Sequence, residues 1–361
     1  MSKIVVLMMI SALQTFLFLI IANPVLSIKG MFLNYWIALF TTAFCANMIG
    51  LNISASFNSA ITIYIVIPLL IIPMMVLSGA MFPFDKLNRR IGSVEKVPVI
   101  AELIPTRWTY EALMVTQFKD NRYSRVEYDK EKETYYMLQK KISEAEFNKT
   151  YRIKELRDAR EISEIEYKSA NDLNKPAEKF SKLQLLRNEL TKMASFSHIS
   201  EFHFISDLTP AKFNPVIADS LGEYLNRMDK EFSIISNSAS DTRDRFYNLN
   251  EAKLNNLENS YYNYKLEEIV TKPYERKKIL INKNSLIQNT DLIYLDSYNS
   301  GFLNFRTHFY APDKYIFGIK TDTFVFNISL VLFSTVLLYL LLYFELPGRF
   351  VSFFENLKIR I

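Results

Sequence analysis

Apolar and polar positions in this chain are segregated into long blocks rather than interleaved. Ile4–Ala22 is an uncharged run preceded by Lys3 and closed by the helix-ending pair Asn23-Pro24. A second run spans about Phe32–Ile53, with Tyr35 and Trp36 near one end as interfacial anchors. Its small residues Ala38, Thr41, Thr42, Ala43, Ala46 and Gly50 suit close helix contact. A third, Ile61–Phe84, is also free of charge and carries Pro68 and Pro73, which predicts a kinked helix. The last, Thr323–Phe344, is bounded by Asp322 and Glu345. At about 1.5 Å per helical residue, each run is long enough to cross roughly 30 Å of hydrocarbon. The rival reading of the first run is a signal peptide cut near Ala22 or Ser27. Against it stand an apolar core longer than the roughly 7–15 residues of a signal and a basic region of one residue.

The block between the third and fourth runs, Asp85–Thr321, is densely charged and close to neutral. Tyr128–Arg160 holds no Gly or Pro and predicts a helix with a narrow stripe of Tyr135, Leu138 and Ile142. A second helix is expected over Glu178–Met193, after Lys175-Pro176. A third helical region covers Ile217–Val270, with Leu221, Leu225, Met228, Phe232 and Ile235 at steps of three and four. Strict heptads are not sustained, so a coiled coil is not secured, and the regular spacing of leucines and aromatics argues against disorder. A segment of about Ser124–Asn289 is expected to fold alone. Beyond it the texture turns to Tyr, Phe, Asn and Ser, with turn signals at Ser300-Gly301 and Pro312-Asp313.

Composition agrees with a membrane protein carrying one large polar insertion: 49% of residues are hydrophobic and 22% charged. A net charge of +5 gives no argument for nucleic acid. The single cysteine, Cys45, lies in an apolar run and reads as a small buried hydrophobe. The glycines closest in sequence are Gly79 and Gly92, so neither a phosphate-binding loop nor a dinucleotide fingerprint exists. His198 and His203, with Glu201 or Asp207, are the nearest approach to a metal set, but their spacing turns them off a common helical face. No catalytic motif is present in this chain.

The charged ends, Lys3 on one side and Arg349, Lys358 and Arg360 on the other, put both termini in the cytoplasm and Asp85–Thr321 outside. Gln14, Asn47, Asn52 and Asn327 are candidate intramembrane polar contacts, either joining helices or lining a path. Glu111 needs a partner in an apolar setting, and Arg107 stands at i−4.

The order of an apolar helix, SG-x-x-x-P over Ser78–Pro83, and P-x-R-W-x-Y-E-A-L-x-x-x-Q-F over Pro105–Phe118 resembles ABC-2 type exporters. It is most similar to the last third of the membrane domain of the G-subfamily (White/pigment-type) half-transporters and their bacterial relatives. The resemblance covers Lys3–Tyr123 and Asn304–Leu346, and departs from the family at Gln117, where Glu is frequent. It implies about four transmembrane helices, matching family helices three to six. The family does not prepare one for the insertion, so the expected fold, an all-α membrane protein with a large, mainly helical extracytoplasmic insertion before the last helix, takes that part from the helix-forming composition above. The plan is three membrane helices over 1–84, a re-entrant or interfacial segment over 85–123 and a helical extracytoplasmic domain over 124–290. A return segment over 291–322 and a last helix with a cytoplasmic tail over 323–361 complete it. The resemblance further implies the permease part of an ATP-driven exporter in the cell (inner) membrane. Arg107, Trp108, Tyr110 and Glu111 would form an external gate. The partners would be an ABC ATPase domain that binds ATP and Mg, the remaining membrane helices and a second half-transporter. The competing class is a membrane-anchored protein whose outer helical domain binds a partner.

Overall fold

A computed structural model describes residues 2–57, 59–87, 94–129, 131–172, 181–196, 200–282, 284–297 and 305–350. Lys175-Pro176, His198, Ser300-Gly301, Asn304, Lys358 and Arg360 lie outside the described residues. The chain divides into two compact units, one of Met1–Arg125, Lys253–Val270 and Asp296–Ile361, the other of Val126–Ala252 and Thr271–Leu295.

The first unit begins with helices α1 (Ser2–Val25), α2 (Phe32–Ser56) and α3 (Ala60–Val76). With α11 (Thr323–Tyr343), α1 and α2 are the described helices long and apolar enough to cross a membrane; α3, at 17 residues, is shorter. The uncharged run containing α3 extends to Phe84, but the helix stops at Val76 and gives way to a turn in which Gly79 adopts φ +81°. A Cβ at Gly79 would lie 2.6 Å from the Phe309 ring, so glycine answers both the left-handed backbone and the close approach. A single helical turn, α4 (Val99–Glu102), leads into α5 (Pro105–Lys119), which starts on a proline at its first turn, where a missing N–H goes unnoticed.

Small residues on α2 admit α5 and α11. Ala38 packs with Ala112 and Ile328, and Cys45 is buried with Trp108, Phe326 and Val331. Thr42 and Thr109 hydroxyls meet at 2.6 Å across α2 and α5. Gly50, by contrast, has nothing within 4 Å of its Cβ position and makes no close contact. Trp36 is turned onto α1, its indole donating to the Ala12 carbonyl at 3.2 Å.

The expectation of a wholly α chain is corrected by two antiparallel hairpins. In the first unit, β3 (Asp313–Ile316) pairs with β4 (Ile319–Asp322). Their turn is Phe317-Gly318, with φ of 52° and 78°, the positive values a two-residue hairpin turn matching strand twist requires. The strand β4 runs without a break into α11, whose N-cap is Asp322 accepting from the Phe324 N–H.

The second unit is a helical bundle with the other hairpin on it. Its helices are α6 (Tyr135–Phe147), α7 (Ile153–Asp172), α8 (Leu183–Phe196) and residues 215–252 of α9 (Pro215–Tyr261). A π-helical turn, Asn148–Arg152, joins α6 to α7. The core takes Ile153 and Leu156 from α7, Leu186 and Leu190 from α8, and Leu221, Leu225 and Met228 from α9. Along α9 the buried stripe leaves the expected line: Ile235 is exposed and Ser236 is buried, donating to Glu146 at 2.5 Å. The hairpin β1 (Ile279–Asn282) and β2 (Ser285–Gln288) is pinned to α8 by buried Glu189, which accepts from the Leu286 N–H at 3.0 Å. A short helix, α10 (Tyr264–Thr271), follows α9 and belongs, except for Thr271, to the first unit.

Candidate functional site

The helix α5 carries the sequence-singled residues Arg107, Trp108, Tyr110 and Glu111, and the first unit closes around them. Four positions on α5 bury Arg107, Trp108, Glu111 and Ala112 together, because 107/108 and 111/112 recur at helical spacing. Glu111 is fully buried, which commits the fold to compensating its charge. Arg107 Nη2 lies 3.3 Å from Glu111 Oε2, one turn earlier on the same helix. Two further donors arrive from elsewhere in the chain. Lys314 Nζ, on β3, reaches Glu111 Oε1 at 3.1 Å, and Asn327 Nδ2, on α11, donates to Glu111 Oε2 at 3.0 Å. Lys314 is itself fully buried and donates also to the Thr307 hydroxyl at 3.1 Å. Asn327 shares its amide with the Trp108 carbonyl at 3.0 Å.

Further charges lie behind this cluster. Arg107 Nη1 stands 3.6 Å from Glu102 Oε2, and Arg306 Nε stands 3.6 Å from Glu102 Oε1. Arg306 also donates to the Val97 carbonyl at 2.7 Å, and Trp108 Nε1 donates to the Glu102 carbonyl at 2.8 Å. Arg107 stacks over the Trp108 ring at 3.8 Å, which in turn packs on Phe305 and Phe326. Tyr110 is half-buried and stacks on Phe309, with its hydroxyl 3.5 Å from that of Tyr310.

The electrostatics follow from burial against pairing. Burial works against the Glu111 charge, but Arg107, Lys314 and the hydrogen bonds from Asn327 and Lys314 outweigh it and hold the carboxyl below the usual range. Burial pushes the Lys314 ammonium down, with Arg107 adding to the effect and Glu111 opposing it. Burial raises Glu102, which Arg107, Lys314 and Arg306 only partly offset. At the far end of α5, Lys119 bonds Asp322 at 2.5 Å and approaches Asp313 at 3.7 Å, so the hairpin and the start of α11 are fixed to α5 there as well.

The other sequence-singled polar residues are distributed differently. Asn47 donates to the Ser11 hydroxyl at 2.6 Å, joining α2 to α1. Asn52 donates to the Leu338 carbonyl at 3.0 Å, joining α2 to α11. Only Asn327 reaches the Glu111 cluster, and Gln14 is exposed on α1. His203 is exposed against Phe204, and among the described residues no group of three His, Cys, Asp or Glu has metal-binding proximity. The residues sequence reasoning missed are Lys314, Glu102 and Arg306. The lysine had one available signal: it is a lone cation inside the aromatic run HFYAPDKYIFG, just before a membrane-grade helix.

No curated protein and no solved structure matches this chain. A family model described as ABC-2 type transporter matches residues 1–118, which include α1–α4, most of α5 and both Arg107 and Glu111, but neither Lys314 nor Asn327. The apolar helices and this match support a membrane protein, and they point to the membrane-domain, or permease, part of an ABC transporter.

Proposed function

We propose that this chain is the transmembrane part of an ATP-driven exporter that works by alternating access. The observation that carries the reading is the family match over residues 1–118, which runs through α1–α4 and ends inside α5, where Glu111 is buried. Hydrolysis belongs to a partner ABC ATPase domain, which holds the ATP and Mg, and two such membrane halves pair in the bilayer of the cell (inner) membrane. Closure of the ATPase domains tilts the halves about a central cavity. The Arg107–Glu111 region closes the outer end of that path, with Trp108 and Tyr110 as its aromatic wall.

The complete protein carrying this chain, tagged and purified from its native membrane in mild detergent, is expected to bring with it a vanadate-sensitive ATPase. Purification with no nucleotide-hydrolysing partner, in cis or in trans, would sink the transporter reading and favour a membrane anchor for an outer binding domain.

Both termini face the cytoplasm and residues 85–321 lie outside, by the balance of basic residues at the chain ends. Ser236 is a poor labelling position because it is buried, whereas Ser238 on the same helix is exposed. In a Cys45→Ala background, Ser238→Cys is expected to react with a membrane-impermeant maleimide in intact cells. Reaction only after permeabilisation would reverse the orientation.

A further inference from the structure

The compensation of Glu111 comes from two kinds of partner. Arg107 is on α5 itself, so any movement of α5 carries both residues together and their contact cannot report or resist that movement. Lys314 and Asn327 reach across from one continuous piece of chain, because β4 passes directly into α11 and Asp322 is both the last residue of the strand and the cap of the helix. That piece holds Glu111 with one charged contact and one amide contact, at 3.1 and 3.0 Å.

We propose that Lys314 is the latch of the outer gate, holding the β3–β4 hairpin and α11 against α5 in the closed state and releasing Glu111 when the path opens. The inference rests on the permease reading and deepens it. Three observations carry it. Lys314 and Glu111 are both fully buried, so separating α5 from the hairpin exposes two charges to water at once. A buried ion pair gains little over its hydrated components, so this contact is specific in geometry yet close to balanced in free energy, as a two-position element must be. Glu111 keeps Arg107 when α5 moves, since both ride on that helix, and Arg107 has Glu102 at 3.6 Å besides, so opening strands no charge on α5. Lys119 with Asp322, part-exposed and two turns further along α5, stays as the fixed end about which the two pieces separate.

The readout is a position the closed state hides. Ala112 follows Glu111, is fully buried, and packs against Ala38 and Ile328. In the complete protein in proteoliposomes, with Cys45→Ala, Ala112→Cys is expected to react slowly with an impermeant maleimide. Adding Lys314→Met is expected to raise that rate about tenfold or more by shifting the population toward the open form. Lys314→Arg, which keeps the charge, is expected to stay within about twofold of the parent. Should Lys314→Met fold poorly by gel filtration, the pair Lys314→Met with Glu111→Gln removes the stranded carboxylate. Fast labelling in that double variant supports a latch, whereas restored protection would mean a merely structural ion pair and would overturn the proposal. Unchanged labelling in folded Lys314→Met would overturn it too. ATP is expected to raise labelling in the parent. A Lys314 effect with no ATP response supports the latch and counts against the permease reading alone.

Discussion

Glu111→Gln is expected to lower the stability of the membrane unit by about 3–5 kcal/mol, the loss typical of removing one partner from a buried ion pair. The change strands two cations rather than one, because both Arg107 and Lys314 face the same carboxylate. They differ in what remains to them. Arg107 still has Glu102 at 3.6 Å, while Lys314 keeps the Thr307 hydroxyl. Glu111→Gln with Lys314→Met should therefore recover more stability than Glu111→Gln with Arg107→Gln, although Arg107 is the i−4 neighbour. Thermal unfolding of the purified protein and its single and double variants measures this, with the coupling energy read from the cycle. Additivity for the Lys314 pair would show that the two charges do not stabilise one another. The pH dependence has a definite sign. The folded carboxyl lies below its ordinary range, so its contribution is complete above about pH 4.3, the unfolded value, and is lost as pH falls through the lower folded value.

In the helical unit, Leu225→Ala is expected to cost about 2–5 kcal/mol, because Leu225 is fully buried in the core shared by α7, α8 and α9 and its loss leaves a cavity there. A segment spanning residues 126–295, expressed alone, is the material for this test, and it is expected to melt cooperatively. Ending it at Asn289 would remove Leu292 and Ile293, both buried, and the bond from the Tyr136 hydroxyl to the Ile293 carbonyl at 2.7 Å. At roughly 2–4 °C per kcal/mol for a domain of this size, Leu225→Ala should lower the midpoint by about 4–20 °C. Ile235→Ala on the same helix is the control, expected within about 0.5 kcal/mol of the parent because Ile235 is exposed. Equal losses at the two positions would mean that the stripe along α9 has been misplaced.

These two cases also mark what the sequence discloses. Local periodicity carries Arg107–Glu111, four residues apart, and the line Leu221, Leu225, Met228 and Phe232. It falters at residues 235 and 236 because steps of three and four are both helical. A tertiary contact, the Ser236 bond to Glu146, accompanies the burial of 236 rather than 235. Lys314 is 203 residues from Glu111, and no spacing rule relates them. Asn327 stands out as a polar residue in an apolar run, yet its partner is invisible until α11 is laid beside α5. The hairpins escape because four-residue strands such as Asp313–Ile316 are too short for alternation to separate from loop, and the Phe317-Gly318 turn offers one glycine as its signal.

On the four-span reading, the early stop of α3 has a consequence for the lipid around it. Seventeen helical residues extend about 25 Å, short of a hydrocarbon core of roughly 30 Å, whereas α1, α2 and α11 are longer. The remaining depth falls to the apolar turn after Val76, and non-helical backbone is tolerated there only when protein satisfies it. Ser78 does so in part, donating to the Met75 carbonyl at 2.7 Å and accepting from the Ala80 N–H at 3.2 Å, while Gly79 is sealed beneath Phe309. A bilayer matched to the longer helices is thicker than α3, so acyl-chain length becomes a variable acting on the very turn that abuts Phe309 and, through it, Tyr110.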